Sequence, residues 1–457
     1  MTTHPILFGT NGIRGVVNKD LTPELITKLG VAIGTYFNNG EVLLGSDTRT
    51  SNSIFSKGMI AGLASAGTHV YDTGLAPTPA IQFAVKHYQM DGAVIITASH
   101  NPPDYNGVKV VASDGVEIPR EDEIKIEEIF HEERFTRKSW DKLGIISNFS
   151  GVITTYKEAV KSHVDVTSIK NKHFKVVVDP INSVGGLVTP YLLRELGCDV
   201  TTINADLDGH FQGRLPEPKP DTLQKLEACV KTFGADLGIA HDGDADRCIF
   251  VDEKGSVCLG DKSGAVIIDY VLEKHPNSVV VTSLSSSKIV EDVVLRRNSK
   301  IRWTKVGSTQ VSREMLELNS IISMEDNGGI FYGPHHPVRD GAMAALLMLE
   351  ILAKRDKPLS ELVAALPQYY IIKERLNCPN ELKSRILEKL LEETNGYTRI
   401  TIDGVKLFFD DGSLLLRPSG TESVYRIYAE AKLERRAREL ADWGLSLVKK
   451  ASGLTST

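Results

Sequence analysis

Apolar and polar positions follow two different periods along this chain, and the order of those periods predicts its architecture. Short uninterrupted apolar runs are followed by longer stretches in which apolar residues recur three and four apart. The first kind reads as a buried strand and the second as an amphipathic helix. Residues 22–38 read as a helix, opened by Leu21-Thr22-Pro23-Glu24. EVLLGSD reads as a strand, SNSIFSKGMIAGLASAG as a helix ending on Gly67, HVYDTG as a strand, TPAIQFAVKHY as a helix and GAVIITAS as a strand. The polar stretch 119–138 reads as a surface helix and an exit.

The theme restarts at KVVVDP and runs through LVTPYLLRELG and CDVTTIN to ADLGIAHDGDADRCIFVDEKG. It restarts again near Cys258 with SVVVTSL, SKIVEDVVLRR, KIRWTKVG, a helix over 309–318, SIISMEDNGG and DGAMAALLMLEILAKR. Strands alternating with helices predict βαβ units on a mainly parallel sheet. From about residue 367 the texture changes to closely spaced strands (RITIDGVKLFFDDGSLLLRPSGTESVYRIYAEA) before a charged helix over 433–450. That is an α+β pattern. Four domains are expected, 1–150, 151–256, 257–366 and 367–457, the first three alike.

Composition narrows the partners. With 41% hydrophobic and 25% charged residues among 457, the chain has ample apolar material for several cores. A net charge of −6 argues against nucleic acid or an anionic membrane as partner, so an anionic ligand must be caught locally. GAMAALLMLEIL is interrupted by Glu350, and no membrane span is expected. The five cysteines (Cys198, Cys229, Cys248, Cys258, Cys378) form no CxxC pair and read as thiols of a reducing compartment. The opening MTTHPILFGTNGIRG lacks a basic stretch followed by an apolar one, so a cytoplasmic location is expected.

Each segment carries one polar loop after an apolar strand: TASHN, DGDADR, EDNGG and RPSGTE. Ligands of parallel α/β sheets bind beyond the carboxyl ends of strands, so four such loops predict one shared cleft. Any one of them alone also reads as an ordinary turn.

In ITASHNPPDYNGVKV a buried strand ends on Ser99, His100 and Asn101, and a second apolar run brings Lys109 back. A nucleophilic serine needs a base. On an extended backbone His100 would face away from Ser99, so the two are not expected to form a nucleophile–base pair. The G-x-S-x-G elbow is absent. Ser99 and Asn101 read equally well as caps of a strand end. The returning Lys109 favours a functional loop, because a buried ammonium asks for an anion.

In HDGDADR, Asp242, Asp244 and Asp246 alternate, which on an extended chain would turn all three carboxylates to one side. Clustered carboxylates repel unless a cation sits among them, and oxygen ligands suit Mg²⁺ or Ca²⁺. An EF-hand with Glu253 at its twelfth position is excluded. Arg247 stands where that loop needs glycine, and strand-like runs flank it. Arg247 beside a metal would suit a phosphoryl group.

In SMEDNGGIFYG, Glu325 and Asn327 offer an acceptor and an amide that suit neighbouring sugar hydroxyls, although the segment alone reads as a polar hairpin turn. In RPSGTE, Arg417, Ser419, Gly420 and Thr421, with Arg426 on the next strand, offer the parts of a phosphate cradle. A plain Pro-Ser-Gly turn is the alternative. FGTNGIRG places Arg14 on a glycine-rich loop.

Taken together and in order, FGTNGIRG, GSDTR, TASHNPPDYNGVK, DGDADR, the EDNGG loop and RPSGTE resemble the α-D-phosphohexomutase superfamily, in its phosphoglucomutase/phosphomannomutase group, over nearly the whole chain. The resemblance implies three similar mixed α/β/α sandwich domains plus a C-terminal α+β domain around a central cleft. It implies reversible phosphoryl transfer between the 1- and 6-positions of glucose or mannose phosphates, through phosphoserine and a hexose 1,6-bisphosphate. It implies that Ser99 carries the phosphoryl group and that Mg²⁺ sits on Asp242, Asp244, Asp246 and the phosphoserine oxygen. Glu325 and Asn327 would hold sugar hydroxyls, and Arg417, Ser419, Gly420, Thr421 and Arg426 the non-reacting phosphate. Lys109 would lie near the transferring group, with Arg14, His100, Asn101 and Arg247 around it.

The chain departs from the family pattern in places. Many members carry Ser and His where Asn327 and Gly329 stand, which leaves Lys109, or His335 or His336 of GPHHPVRDG, as the expected acid/base. Asn11 stands where Asp is usual, and Ser46 where Arg is common, so Asp47 and Arg49 are expected to be structural. A phosphoglucosamine mutase is the alternative within the class. A serine-dependent metal phosphatase and a non-catalytic sugar-phosphate sensor are the alternatives outside it. A sensor would lack the nucleophile or the aspartates, and all four are present. Small sugar phosphates are the expected partners, and a homodimer is compatible with the sequence.

Overall fold

The computed structural model describes residues 7–453 except Thr10 and Thr421. Four sheets follow one another along the chain. The first runs, in spatial order, Ile13–Val16, Tyr105–Ala112, Gly92–Ile96, Glu41–Ser46, His69–Leu75 and Ile146–Asn148. The second runs Val257–Cys258, Cys248–Val251, Leu237–His241, Lys175–Asp179 and Asp199–Thr202, and so extends two residues past position 256. The third runs Lys300–Thr304, Val279–Ser283, Ile322–Met324, Ile330–Tyr332 and His336–Arg339.

The first three sheets are parallel at the centre, as the alternating pattern predicts, but each then reverses. Gly92–Ile96 pairs antiparallel with Tyr105–Ala112, Leu237–His241 with Cys248–Val251, and Ile322–Met324 with Ile330–Tyr332. The sheets are therefore mixed, and TASHN, DGDADR and EDNGG each join an antiparallel pair. The fourth sheet, Tyr370–Asn377, Val424–Ala431, Gly412–Pro418, Val405–Phe409 and Arg399–Ile400, is antiparallel throughout. RPSGTE joins two of its central strands. A short connection gripped by hydrogen-bonded strands at both ends is stiffer than a crossover loop.

One apolar core runs through the first three units, including Leu43, Ile81, Tyr156, Val178, Leu192, Val266 and Leu347, while the fourth has its own. Helix Gly341–Arg355 lies at the centre of the shared core. Every residue from Gly341 to Leu352 is buried, which explains a segment apolar on all sides without a membrane. Glu350 within it accepts from the Asp165 amide at 3.1 Å. No helix among the described residues is long and apolar enough to cross a membrane.

The fourth unit docks on the third through buried charge. Lys406 donates to the carbonyls of Leu284 (3.0 Å) and Ser286 (2.7 Å) and lies 4.1 Å from the centre of the Trp303 ring. Glu430 accepts from the Ser287 hydroxyl, the Lys288 amide and the Ser413 hydroxyl at 2.7–2.8 Å. Glu430→Ala strands three donors at this seam. It is expected to lower stability by about 2–4 kcal/mol, read as an earlier urea midpoint with faster amide exchange in the fourth sheet.

Candidate active site

Gly92–Ile96 is buried along its whole length, and the chain leaves it through Thr97 and Ser99. Ser99 is fully buried with φ 49°, a left-handed backbone that costs a non-glycine residue about 1 kcal/mol or more. Its neighbours enforce it. The Ser99 amide donates to Thr97 Oγ1 (2.8 Å), and Thr97 Oγ1 donates to Asp47 Oδ2 (2.6 Å). The Arg49 guanidinium donates to four carbonyls of the loop: Ser99 (2.9 Å), Asn101 (2.6 Å), Pro102 (2.6 Å) and Tyr105 (2.8 Å). Its Nε donates to Asp47 Oδ2 at 3.2 Å, and its face lies over Phe211 of the second unit. Asp47 and Arg49 thus have the structural task expected of them.

The turned backbone changes the relation of Ser99 to His100. The two do not face opposite ways: Oγ lies 3.4 Å from His100 Nδ1. The extended-strand argument fails because Ser99 is not extended. His100 is still not placed to act as the base. Its Nδ1 faces Arg247 Nη2 at 3.0 Å, and burial, then Arg247 and Arg14, hold its pKa well below the ordinary value. The Ser99 hydroxyl donates instead to Asp242 Oδ2, at 2.8 Å.

Asp242, Asp244 and Asp246 offer oxygens within 4.8 Å of one another. They meet around a turn rather than along an extended chain, with Ala245 left-handed at φ 57°. Gly243 is required here, since a Cβ would lie 2.5 Å from the Ser99 carbonyl oxygen. Asp244 Oδ2 accepts from Thr78 Oγ1 (2.8 Å) and Lys109 Nζ (3.0 Å), and Asp246 Oδ2 from Arg339 Nη2 (2.5 Å) and Lys109 Nζ (3.3 Å). Burial, then the charges of Asp246 and Asp244, push the Asp242 carboxyl up to about 7. Burial raises Asp244 too, but Lys109 and Arg339 outweigh it and hold that group well below the carboxylate range. Asp244 Oδ1 and Asp246 Oδ1 are buried without a hydrogen-bond partner, although Arg247 Nε stands 3.9 Å from the latter. Two orphaned carboxylate oxygens beside a third carboxylate and a serine oxygen fit a hard divalent cation.

Cations ring the triad. Lys109 is buried among Asp244, Asp246 and Glu117, the last at 3.5 Å. Burial alone would lower its pKa, yet these carboxylates raise it, so Lys109 stands as a fixed ammonium rather than a titrating base. The acid/base role expected of it is not what this arrangement offers. Arg14 donates to Asn101 Oδ1 (2.7 Å) and the Ala98 carbonyl (3.2 Å). Arg247 Nε lies 3.7 Å from Asp242 Oδ2.

The remaining expected residues divide. Glu325 is buried against Arg339 Nη1 at 3.4 Å, whereas the Asn327 carbonyl oxygen accepts from the Gly329 amide of its own turn at 3.0 Å. His335 stacks on Phe83 and lies 3.5 Å from Asp340, and His336 Nε2 meets the Gly115 carbonyl at 3.0 Å. Both are occupied by packing between units and not by the Ser99 loop. In RPSGTE, Arg417 Nε donates to Asp403 (2.7 Å), Ser419 Oγ accepts from the Glu422 amide (3.2 Å), Arg426 pairs with Glu422 and Gly420 is exposed. Thr421 lies outside the described residues. Asp403 also accepts from the Val306 amide at 3.0 Å. Two residues on, Ser308 and Thr309 donate to Glu117, so contacts run from the fourth loop back to Lys109.

Thr78, Thr97, Glu117 and Arg339 escape a reading of the sequence. Thr97 lies within the TASHN loop without any mark of its task, and Arg339 shows only as a lone charge between apolar Val338 and a helix start at Asp340.

Known proteins match the chain over nearly its whole length. Residues 5–137, 154–255 and 259–370 match the family descriptions phosphoglucomutase/phosphomannomutase, alpha/beta/alpha domains I, II and III, and residues 375–443 match its C-terminal domain. The chain is 47% identical over 443 residues to a phosphoglucosamine/phosphogalactosamine mutase of Sulfurisphaera tokodaii, covering 95% of this chain and 97% of that one. It is 44% identical over 452 residues to a phosphoglucomutase/phosphomannomutase of Thermococcus kodakarensis, covering 97% and 99%. Its fold is similar to the crystal structure of a phosphoglucomutase/phosphomannomutase family protein from Burkholderia thailandensis, with a TM-score of 0.90, 27% identity and 98% of each chain covered.

Two predictions follow from the loop and the triad. Arg49→Met leaves buried carbonyls unpaired. It is expected to cost about 3–5 kcal/mol in denaturant unfolding and to speed amide exchange across 97–105. A proton on Asp242 must leave before a cation can bind. Calorimetry is therefore expected to show Mg²⁺ affinity rising with pH up to about 7, with proton release below that pH, and a plateau above it.

Proposed function

The chain belongs to the phosphoglucomutase/phosphomannomutase family and is a phosphohexomutase, and from that premise we propose that Ser99 carries the phosphoryl group exchanged between the 1- and 6-positions of a hexose phosphate. The observation that carries the proposal is the buried Ser99 hydroxyl, 2.8 Å from Asp242 at the edge of the aspartate cluster.

Phosphoryl transfer needs positioning and charge neutralisation more than a strong base. In the resting enzyme Ser99 bears the phosphoryl group. A sugar hydroxyl attacks phosphorus, the new sugar O–P bond forms and the Ser99 Oγ–P bond breaks. The proton released by the sugar hydroxyl ends on the departing Ser99 Oγ, whose hydroxyl then hydrogen-bonds to Asp242 Oδ2 at 2.8 Å. The hexose 1,6-bisphosphate so formed turns over in the cleft and returns its other phosphoryl group to Ser99. Mg²⁺ held by Asp242, Asp244, Asp246 and the phosphoserine oxygen would supply the positive charge that the transferring group needs. Arg14, Asn101, His100, Arg247 and Lys109 line that position, with Arg247 suited to the phosphoryl oxygens and Lys109 to balancing the aspartates. Glu325 and Asn327 receive sugar hydroxyls, and the Arg417–Arg426 loop with Ser419, Gly420 and Thr421 grips whichever phosphate is not reacting.

Glucose and mannose phosphates are the substrates we propose, in the reducing cytoplasm that free thiols suit. The Sulfurisphaera relative favours a second reading, in which glucosamine phosphate is taken as well. A net phosphatase is the reading outside the class; it would release inorganic phosphate, whereas a mutase must shield phosphoserine from water.

Intact-mass analysis of purified protein tests the relay. The parent is expected to carry one phosphoryl mass that Ser99→Ala lacks, and the variant to lose turnover of hexose 1-phosphates by a factor of about 10⁴ or more. An alanine variant that interconverts the isomers at the parent rate contradicts it.

A further inference from the structure

We infer that Arg339 is a positioning residue that fixes the sugar loop at a set distance from the aspartate cluster. The inference rests on the roles proposed above for Ser99, the aspartates and Glu325. Arg339 ends the strand His336–Arg339 and is 4% exposed. Its backbone is clamped on both sides. It pairs with Phe331 across the sheet, and the next residue, Asp340, caps helix Gly341–Arg355 through the Met343 amide at 2.8 Å and accepts from the Tyr156 hydroxyl at 2.6 Å. From that fixed base the guanidinium reaches two acids in different units: Nη2 to Asp246 at 2.5 Å, and Nη1 to Glu325 at 3.4 Å. With the Asn11 amide turned so that its oxygen faces the guanidinium, Nη2 also meets the first unit at 2.9 Å.

The sugar loop is shaped around this side chain. A Cβ on Gly329 would lie 2.5 Å from Arg339 Cδ and 2.9 Å from Cγ. Those atoms are mid-stem, tethered at both ends, and cannot swing aside. Gly329 is therefore glycine because the Arg339 stem crosses it.

A planar two-pronged group spans a fixed separation, which a single ammonium cannot do. If Glu325 holds a sugar hydroxyl, Arg339 sets where that hydroxyl stands relative to the phosphoryl group on Ser99. A misplacement of about 1 Å at such a point costs on the order of 100-fold in rate. A residue that merely neutralised Asp246 would be replaceable by lysine.

The test combines steady-state kinetics on glucose 1-phosphate with Mg²⁺ calorimetry and intact mass on full-length variants. Arg339→Lys is expected to keep Mg²⁺ affinity within about threefold and to lose about 100-fold in kcat/KM, with KM raised. Gly329→Ala is expected to cost about tenfold in the parent and less than about twofold in an Arg339→Ala background, because the clash is gone. Arg339→Ala with Glu325→Gln is expected to be no worse than about threefold below the weaker single variant. Where Arg339→Ala does not fold, Arg339→Lys and Gly329→Ala alone decide the matter. Parent-like kcat/KM in Arg339→Lys, or an equal cost of Gly329→Ala in both backgrounds, overturns the inference. A parent without phosphoryl on Ser99 overturns instead the function it rests on. A phosphorylated parent with an indifferent Arg339→Lys refutes the positioning role alone.

Discussion

Three carboxylates buried within 4.8 Å of one another are the constraint around which the other units are arranged. Left to themselves, such charges would cost several kcal/mol each in lost hydration and mutual repulsion. The structure answers with one cation from each of three units: Lys109 from the first, Arg247 from the second and Arg339 from the third. Lys109 and Arg339 reach the second unit's aspartates from the first and third units. The electrostatic demand of a single turn thus adds a polar tie between three sheets that already share an apolar core, at the place where we propose the phosphoryl group is exchanged.

Position is then set by how the loops are mounted. Each of the four joins an antiparallel pair of strands, so both of its ends are hydrogen-bonded into a sheet. Arg49 removes what freedom remains in the Ser99 loop by filling four of its carbonyls. Gly243 lets the aspartate turn come within reach of the Ser99 carbonyl. A reaction that depends on placing a phosphoryl group between two oxygens benefits from such rigidity more than from any strong base. The fourth unit is tied in differently, through Lys406, Glu430 and the Asp403 contact with Val306, all on the third unit.

Much of this was legible in the sequence. The strand and helix periods placed the central strands and the helices they named, but passed over Val152–Lys161, Gln224–Phe233, Gly260–Lys274 and Lys383–Glu393, and the ordered motifs identified the family. What was not legible has definite physical reasons. The apolar run around Lys109 carries no mark of strand direction, so the antiparallel return stayed hidden until the pairing of Ile95 with Lys109 was seen. Tyr370–Asn377 is a half-exposed strand whose short apolar start gives way to Lys373, Glu374 and Arg375, charges that break the apolar alternation. Face arguments for Ser99–His100 and for the aspartates assumed extended chain, and Ser99 and Ala245 are both left-handed. Arg339 means nothing until three units meet, because its partners lie 14 and 93 positions away.

The central claim is that one serine oxygen in this cation-ringed cluster lends and reclaims a phosphoryl group. The most direct measurement is a quenched single turnover of enzyme labelled with ³²P on Ser99 and mixed with unlabelled glucose 1-phosphate and Mg²⁺. The account predicts that label leaves the protein at the rate of turnover and appears in sugar bisphosphate and glucose 6-phosphate. Label that stays on Ser99 through many turnovers, or that leaves chiefly as inorganic phosphate, contradicts it.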